Sequence, residues 1–144
     1  MNYFLKLLTP LLMIALMSGC GDPKVTGKVT FPDGTPLTKG QVMFQSDGFI
    51  GSGDIRENGT YSAGKLKDGD GLPLGTYQVF IGGATTLGEL KNAPQEANIG
   101  SIQKVEMAKS INLVDYKYMS PSTSGLTVKV EGKTKFDFTV EPPK

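Results

Sequence analysis

The sequence predicts a small all-β domain, an antiparallel β-sandwich of seven strands with a margin of one, behind a short N-terminal leader. Three observations support this prediction. Apolar and polar side chains alternate with the two-residue period of half-buried strands. Gly, Pro, Asn and Asp residues fall between the alternating segments, as turns require. The apolar leader ends at the one cysteine of the chain, and the 144 residues suffice for a single core.

Five segments show the alternation clearly. In the first of them Val25, Gly27 and Val29 fall on one face of a strand, and Thr26 and Lys28 fall on the other. This pattern is typical of antiparallel sheets that have one buried and one solvated face. The five segments are 25–31, 42–44, 77–81, 126–130 and 136–140.

Two weaker strands, 49–55 and 60–66, complete the set of seven. They are joined by a turn that contains Asn58 and Gly59, the residue pair that most readily adopts the positive φ angles of a tight hairpin. A second group of turn residues, at 32–37, separates the first two strong strands. The segments therefore succeed one another with short connections, as an antiparallel sandwich requires.

Residues 82–123 interrupt this rhythm. The segment has a faint helical spacing at Ile99, Ile102 and Val105, and an added strand is expected at 111–114. Loops of this length are uncommon unless they are functional or partly structured, so a partner is expected to bind here. The alternative is that the segment covers one open end of the core. The candidate contact residues are Leu87, Leu90, Tyr116 and Tyr118.

The N-terminal leader has the anatomy of a signal peptide. A single charge at Lys6 precedes an apolar run at 7–17, which is too short for the roughly 20 residues of a membrane-spanning helix. Small residues then lead to Cys20. The leader resembles a bacterial lipoprotein signal, with Met17 where that family prefers Leu. The resemblance implies that residues 1–19 are removed, that Cys20 is lipidated, and that 20–23 form a tether ahead of a domain at 24–144. The alternative is an ordinary secretory signal that leaves a free thiol.

Four segments carry motifs in a recognisable order: 25–37, 40–44, 57–61 and 73–79. They resemble the carboxypeptidase regulatory-like module, which has a prealbumin-like (transthyretin-like) sandwich related in architecture to immunoglobulin-like domains. The resemblance implies a fold of that type here. Its features in this chain are a glycine inside the first strand, glycines at turns and tyrosines at the core edge, namely Gly27, Gly59, Gly75, Tyr61 and Tyr77.

A further stretch, 116–128, is similar to small predicted lipoproteins of planctomycete-type bacteria, in which the same module follows a lipid-attachment signal. Two positions depart from the two patterns. Asn58 replaces a frequent Asp of the module, and Asp115 stands where the lipoproteins tend to have Pro. Neither change conflicts with the predicted fold.

The composition argues against catalysis. The chain contains no histidine, which removes the usual general base and the nucleophilic triads that depend on it. The sequence Gly132-Lys133-Thr134 imitates the end of a phosphate-binding loop, but the first glycine of that motif would fall at Thr127, and a hairpin turn is expected instead. No catalytic residue and no cofactor are predicted.

A weak candidate metal site is the alternating Asp-Gly sequence that contains Asp68 and Asp70. Carboxylates in such a loop can surround Ca²⁺, but the bidentate Glu of an EF-hand is replaced here by Val79. The simpler interpretation is a solvated turn.

These observations favour a lipid-anchored, non-enzymatic module of the cell envelope that binds a protein or glycan or has a structural role. The alternative is a carrier of a small ligand or metal ion that uses residues 82–123. Removal of the leader would remove Lys6, which is one of the 15 basic residues of the whole chain, and the remaining basic residues would equal the 14 acidic ones in number. A chain without net charge has no general attraction for nucleic acid, which is therefore not an expected partner. By analogy with known sorting signals, Gly21 after the lipidated cysteine favours the outer membrane.

Overall fold

The computed structural model describes residues 21–88 and 109–144. They form ten strands and one turn of 3₁₀ helix, and no helix within these ranges has the length and apolar character that crossing a bilayer requires. The elements are β1 Val25–Thr30, β2 Gln41–Ser46, β3 Phe49–Asp54, β4 Thr60–Ala63, β5 Gly75–Gly82, β6 Thr85–Leu87, β7 Ser110–Asn112, the 3₁₀ helix Tyr116–Met119, β8 Leu126–Val130, β9 Thr134–Lys135 and β10 Phe138–Thr139.

The first sheet is built around β1. On one side β1 pairs antiparallel with β4, and on the other it pairs with the C-terminal strands β9 and β10. Both of these C-terminal pairings are parallel, with Val25 opposite Thr134 and Val29 opposite Phe138. The first and last segments of the domain therefore lie side by side.

The second sheet has the order β3-β2-β5-β8 and is antiparallel throughout. Its central pair, β2 and β5, joins segments that are more than thirty positions apart, with Phe44 opposite Val79. The alternation predicted from the sequence is confirmed here, because Tyr77, Val79 and Ile81 of β5 are buried while Gln78 between them is exposed.

The core lies between these two sheets, which gives the chain the predicted all-β sandwich architecture. Val25, Val29 and Tyr61 from the first sheet and Phe44 and Val79 from the second belong to one cluster of buried side chains. Aromatic rings span the interface, with the centroids of Phe44 and Tyr61 at 6.0 Å. Edge and tilted ring pairs of this kind stabilise a core beyond the area that they bury.

The hairpin turn between β3 and β4 forms as its sequence predicts. The side chain of Asn58 accepts hydrogen bonds from the backbone N–H and the hydroxyl of Thr60, at 3.1 and 2.6 Å. Gly59 has φ 81°, a conformation that glycine adopts without strain. Asp33 binds Thr35 in the same way, with bonds of 2.9 and 2.6 Å. These side-chain bonds fix turns that the chain needs between strands.

Gly27 in the middle of β1 marks a close approach between strands, which, with a bulge, is one of the two roles that a glycine inside a strand can have. A Cβ atom there would lie 1.9 Å from the carbonyl oxygen of Phe136 and 2.6 Å from the hydroxyl of Tyr61. Any side chain larger than hydrogen would therefore push the C-terminal segment away from β1.

The strand registers place the two ends of the sandwich. The start of β1 lies beside the end of β4 and the start of β9, because Val25 pairs with Ala63 and Thr134. In the second sheet Gly75 pairs with Val130, so the start of β5 and the end of β8 lie together. β1 and β5 begin at the same end, because Leu72, just before β5, donates its N–H to the oxygen of Pro23, just before β1. We call this end the tether end, and the end at which β5 finishes, at Gly82, the far end.

The structure differs from the sequence prediction in three respects. It contains ten described strands rather than the expected seven and one added strand, because the C-terminal segment is divided into β9 and β10 and the added strand, β7, pairs with a further strand, β6. Two pairings are parallel in a sandwich that was expected to be antiparallel. The residues 131–133 do not form a hairpin, since β8 and β9 belong to different sheets. Each difference depends on contacts between distant parts of the chain, which side-chain alternation does not specify.

Candidate functional site

The segment 82–123 begins with a two-stranded ribbon that is separate from both sheets. Its strands β6 and β7 pair antiparallel with each other, with Thr86 opposite Ile111. Two backbone hydrogen bonds extend the ribbon beyond its strands, from Leu113 N–H to the oxygen of Ala84 at 2.8 Å and from Gly88 N–H to the oxygen of Lys109 at 2.9 Å. The strand expected at 111–114 is thus present, displaced by about one residue.

The ribbon is attached to the sandwich at the far end. It leaves β5 through Gly83, which has φ 62°, and the next residue, Ala84, is buried in the core. At the other side of its base Val114 is fully buried. Both strands of the ribbon are therefore held at their base by packed residues, while the rest of the ribbon extends beyond the sheets.

Both faces of the ribbon carry an exposed apolar side chain. Residues that lie opposite one another in an antiparallel pair point to the same face, and neighbours along a strand point to opposite faces. Leu87 is opposite Ser110 on one face, and Ile111 is opposite Thr86 on the other. Leu87 is 73% exposed and Ile111 is 48% exposed. The ribbon thus offers apolar contact area on both sides.

The 3₁₀ helix that follows the ribbon is fixed to the C-terminal segment. Its cap residue Asp115 accepts a hydrogen bond from the backbone of Lys117 at 3.0 Å, and its own N–H donates to the oxygen of Glu141 at 2.9 Å. The Lys117 ammonium contacts the Glu141 carboxylate at 2.8 Å, and this hydrogen bond raises the pKa of Lys117. The helix is therefore bonded to the C-terminal segment as well as to the ribbon that precedes it.

The candidate contact residues separate into two groups in the structure. Leu87 and Tyr116 are each 73% exposed, as contact with a partner requires. Tyr118 is only 7% exposed and belongs to the core, so it covers the core end and is removed from the candidate contacts. Leu90 lies outside the described residues. Ile111 is an exposed residue that the sequence reasoning missed as a contact, although its strand was expected.

The segment 82–123 therefore combines the two interpretations that the sequence left open. Its base and its 3₁₀ helix cover the core through Ala84, Val114 and Tyr118. The ribbon between them buries no large side chain within its described strands. Packing against the core explains the base and the 3₁₀ helix. It does not explain the ribbon, which is available for a partner.

The Asp-Gly sequence forms a structural turn. Both carboxylate oxygens of Asp68 accept the backbone N–H of Asp54, at 3.1 and 3.3 Å, and the Asp54 carboxylate accepts a bond from Gln41 at 2.7 Å. Asp70 instead lines a depression with Lys65. Across 21–88 and 109–144 no three acidic side chains come together as metal ligands would. Cys20, the expected lipidation site, lies outside the described residues.

Among the described residues, the most strongly shifted pKa is that of Tyr61, a core residue. Burial raises the pKa of Tyr61, and the negative charge of Asp137 adds to this effect. The Tyr61 hydroxyl donates a hydrogen bond to the carbonyl oxygen of Phe136 at 2.6 Å. Burial also raises the pKa of Tyr77, whose hydroxyl donates to the oxygen of Pro73 at 2.8 Å. Both hydroxyls serve packing, because their partners are backbone carbonyls.

No protein-family model matches the sequence, and no curated protein matches it significantly. Among solved structures the chain is similar to the crystal structure of a DUF3823 family protein from Bacteroides ovatus, with 19% sequence identity and a TM-score of 0.43. The match covers 84% of this chain and 44% of that protein, so the chain spans less than half of its length.

Proposed function

We propose that this chain is a lipid-anchored, non-enzymatic β-sandwich of the cell envelope that presents its ribbon to a protein or glycan partner. One observation supports this most directly. The residues that follow Cys20 enter the sandwich at the tether end, and the ribbon leaves it at the far end. A lipid on Cys20 would therefore hold the ribbon away from the membrane.

The dimensions favour this arrangement. Strand β5 runs from the tether end to the far end over eight residues, from Gly75 to Gly82. At about 3.3 Å per residue it separates the two ends by about 23 Å. Such a separation would place Leu87 and Ile111 beyond the lipid headgroups, where a partner in the envelope can reach them.

The proposed fold family is the carboxypeptidase regulatory-like module with prealbumin-like topology. Three residues of its motifs occupy positions that suit their expected roles. Gly27 allows the close approach of Phe136, Gly59 has the positive φ of its turn, and Tyr61 is buried in the core. These placements support the assignment through packing and turn chemistry.

The non-enzymatic role is proposed from the composition, because the chain contains no histidine to act as a general base or to complete a nucleophilic triad. The alternative function is carriage of a small ligand or metal ion that uses residues 82–123, and the outer membrane is the favoured location.

Replacement of Cys20 by Ser tests the anchor. The wild-type chain should fractionate with membranes, and its intact mass should correspond to a chain that begins at Cys20 and carries acyl groups. The Cys20→Ser chain should keep its leader or appear in the soluble fraction. A soluble wild-type protein, or one without acyl mass, would contradict the proposal.

Removal of the ribbon tests the presenting role. In the anchored chain, residues 86–111 would be replaced by a short Gly-Ser turn between Thr85 and Asn112, which pair across the ribbon base. The shortened protein should keep its cooperative melt and membrane location but lose the partner that cross-links to wild-type protein in intact cells. Tyr116→Ala serves as a second variant outside the ribbon. Unchanged cross-linking would exclude the ribbon as the contact surface.

A further inference from the structure

A loop at the tether end carries two exposed leucines. This tether-side loop, residues 64–74, joins β4 of one sheet to β5 of the other. Leu66 is 93% exposed and Leu74 is 68% exposed, whereas Leu72 between them is fully buried. A single exposed leucine needs no explanation in a soluble domain. The two leucines of this loop are of interest because the loop lies next to the residues that follow the lipid attachment point.

The residues that follow Cys20 are bound to this loop. The Lys65 ammonium contacts the Asp22 carboxylate at 2.9 Å, and Leu72 N–H donates to the oxygen of Pro23 at 3.1 Å. The ammonium group of Lys24 donates to the oxygen of Gly69. Asp22 and Pro23 of the expected tether, together with Lys24, are thus docked on the domain.

The backbone approach confirms how closely the two segments pack. Gly71 has φ 87°, and a Cβ atom at this position would lie 2.4 Å from the oxygen of Asp22. Gly21, the residue next to Cys20, lines the same shallow depression as Lys65 and Leu66. Residues 21–24, the described residues that lead into β1, are therefore held close to the loop.

Chain geometry sets the distance to the bilayer. Consecutive Cα atoms are about 3.8 Å apart, so the Cα of Cys20 lies within about 7.6 Å of the Cα of the docked Asp22. Acyl chains on Cys20 would enter the hydrocarbon directly. The neighbouring loop is then within reach of the boundary between headgroups and acyl chains, where apolar side chains of peripheral proteins insert about 5–10 Å.

We infer that the tether-side loop rests on the membrane that holds the lipid anchor and inserts Leu66 at the headgroup boundary. This inference rests on the proposed lipidation of Cys20. The occupant is the bilayer itself, since the two leucines lie at the end where the chain must meet it. The arrangement fixes the orientation of the domain and directs the ribbon away from the lipid.

The charges of the loop indicate how it binds. Lys65 and Lys67 flank Leu66, and Asp68 and Asp70 follow within the same turn. The two charge signs balance, so attraction of a basic cluster to anionic lipid does not explain the contact. Insertion of the apolar side chain does, while the stem of Lys67 extends its ammonium group to the headgroups. The contact should therefore persist at high salt, which screens surface charge.

The test uses the full lipidated chain in vesicles of phosphatidylethanolamine and phosphatidylglycerol. Lipidation would consume the one native thiol, so Leu66→Cys introduces a unique site for an environment-sensitive fluorophore. The matched control is Leu87→Cys on the ribbon, also at an exposed leucine. Each labelled protein is checked for an unchanged melt. Fluorescence is compared in detergent-free vesicles with and without spin-labelled lipids.

We expect a blue shift and lipid-dependent quenching for the label at position 66, retained at high salt, and neither effect at position 87. If the protein floats with the vesicles but both labels report water, the inference fails and the anchor remains. If both labels are quenched, the domain lies on its side, and the proposed orientation is wrong. If the chain does not float with vesicles, the anchor itself is refuted, and the inference falls with it.

Discussion

The hydroxyl of Tyr61 donates a hydrogen bond of 2.6 Å to the carbonyl oxygen of Phe136, 75 positions away in the chain. Tyr61 pairs with Gly27 on β1, and the backbone N–H of Phe136 donates to Thr26 on the other side of that strand. The tyrosine side chain thus reaches across β1 at the one residue that has no side chain. This bond joins the middle of the domain to its C-terminal segment.

Tyr61→Phe should remove this bond and leave the ring in place. The carbonyl of Phe136 would then lose its partner, and such a loss destabilises a protein by about 1–3 kcal/mol. Urea denaturation of the soluble 21–144 fragment measures the change. Tyr116→Phe is the matched control, because that side chain is 73% exposed, and it should stay within about 0.5 kcal/mol. Equal effects would show that the hydroxyl bond has no structural role.

Gly27→Ala should be more damaging than its size suggests. The added methyl group would overlap the carbonyl of Phe136, and relief requires displacement of the C-terminal segment from β1. We expect a loss of about 3 kcal/mol or more, at the upper end of overpacking effects. Gly132→Ala is the control, since its added Cβ would meet nothing within 4 Å. A stable Gly27→Ala protein would contradict the strand packing described here.

Alkaline pH should destabilise the domain through Tyr61. Burial raises the pKa of this residue in the folded state above its unfolded value of about 10. The buried, protonated Tyr61 makes its full contribution to the stability of the fold below about pH 10. This contribution is lost as the pH rises further, because the unfolded chain then releases the proton more readily than the folded chain does. The slope for one such group is about 1.4 kcal/mol per pH unit. Urea melts between about pH 9 and pH 11 measure this effect. The free energy of unfolding should fall less steeply with pH for Tyr61→Phe than for the wild type.

Buried and exposed strand positions should respond differently to substitution. Phe138 is 9% exposed and contacts the Tyr61 ring at a centroid distance of 6.3 Å, so Phe138→Ala should cost about 3–5 kcal/mol. Val79→Asp, which buries a charge at a fully enclosed position, should prevent folding. Lys129→Ala should change stability by less than about 0.5 kcal/mol, because its pair with Glu131 is exposed. Similar losses at all three positions would refute the assigned faces.

Calcium should leave the melting temperature of the domain unchanged. Asp68 already accepts a backbone N–H with both of its carboxylate oxygens, so a cation would have to displace that bond. A ligand present at 100 times its Kd adds about 2.7 kcal/mol, which a thermal melt detects easily. A rise of the melting temperature that disappears in Asp68→Ala and Asp70→Ala would establish a calcium site in place of the structural turn.

Several elements could be predicted because their signals are local. The alternation in Val25, Val29 and Tyr77, Val79 determines which face of each strand is buried, and the structure places all four in the core. The Asn58-Gly59 turn follows from side-chain bonds that span two residues. Local signals of this kind are independent of where the rest of the chain lies.

The site could be predicted only in part. The break in alternation identified residues 82–123 as the segment unexplained by the sandwich pattern. The break did not indicate which of Tyr116 and Tyr118 is exposed. The two residues lie two positions apart in the 3₁₀ helix, and Tyr116 is 73% exposed whereas Tyr118 is 7% exposed. That difference arises from the packing of the helix against β5.

The sequence by itself determined the all-β class, the buried faces of the strands, the Asn58-Gly59 turn and the resemblance of the leader to a lipid-attachment signal. Only the tertiary structure decided that β1 lies parallel to the C-terminal strands and that residues 22–24 dock on the tether-side loop, away from the ribbon. The physical reason is that side-chain periodicity records burial at each position. The choice of strand partner depends on contacts between residues far apart in the chain, and alternation is the same for either partner.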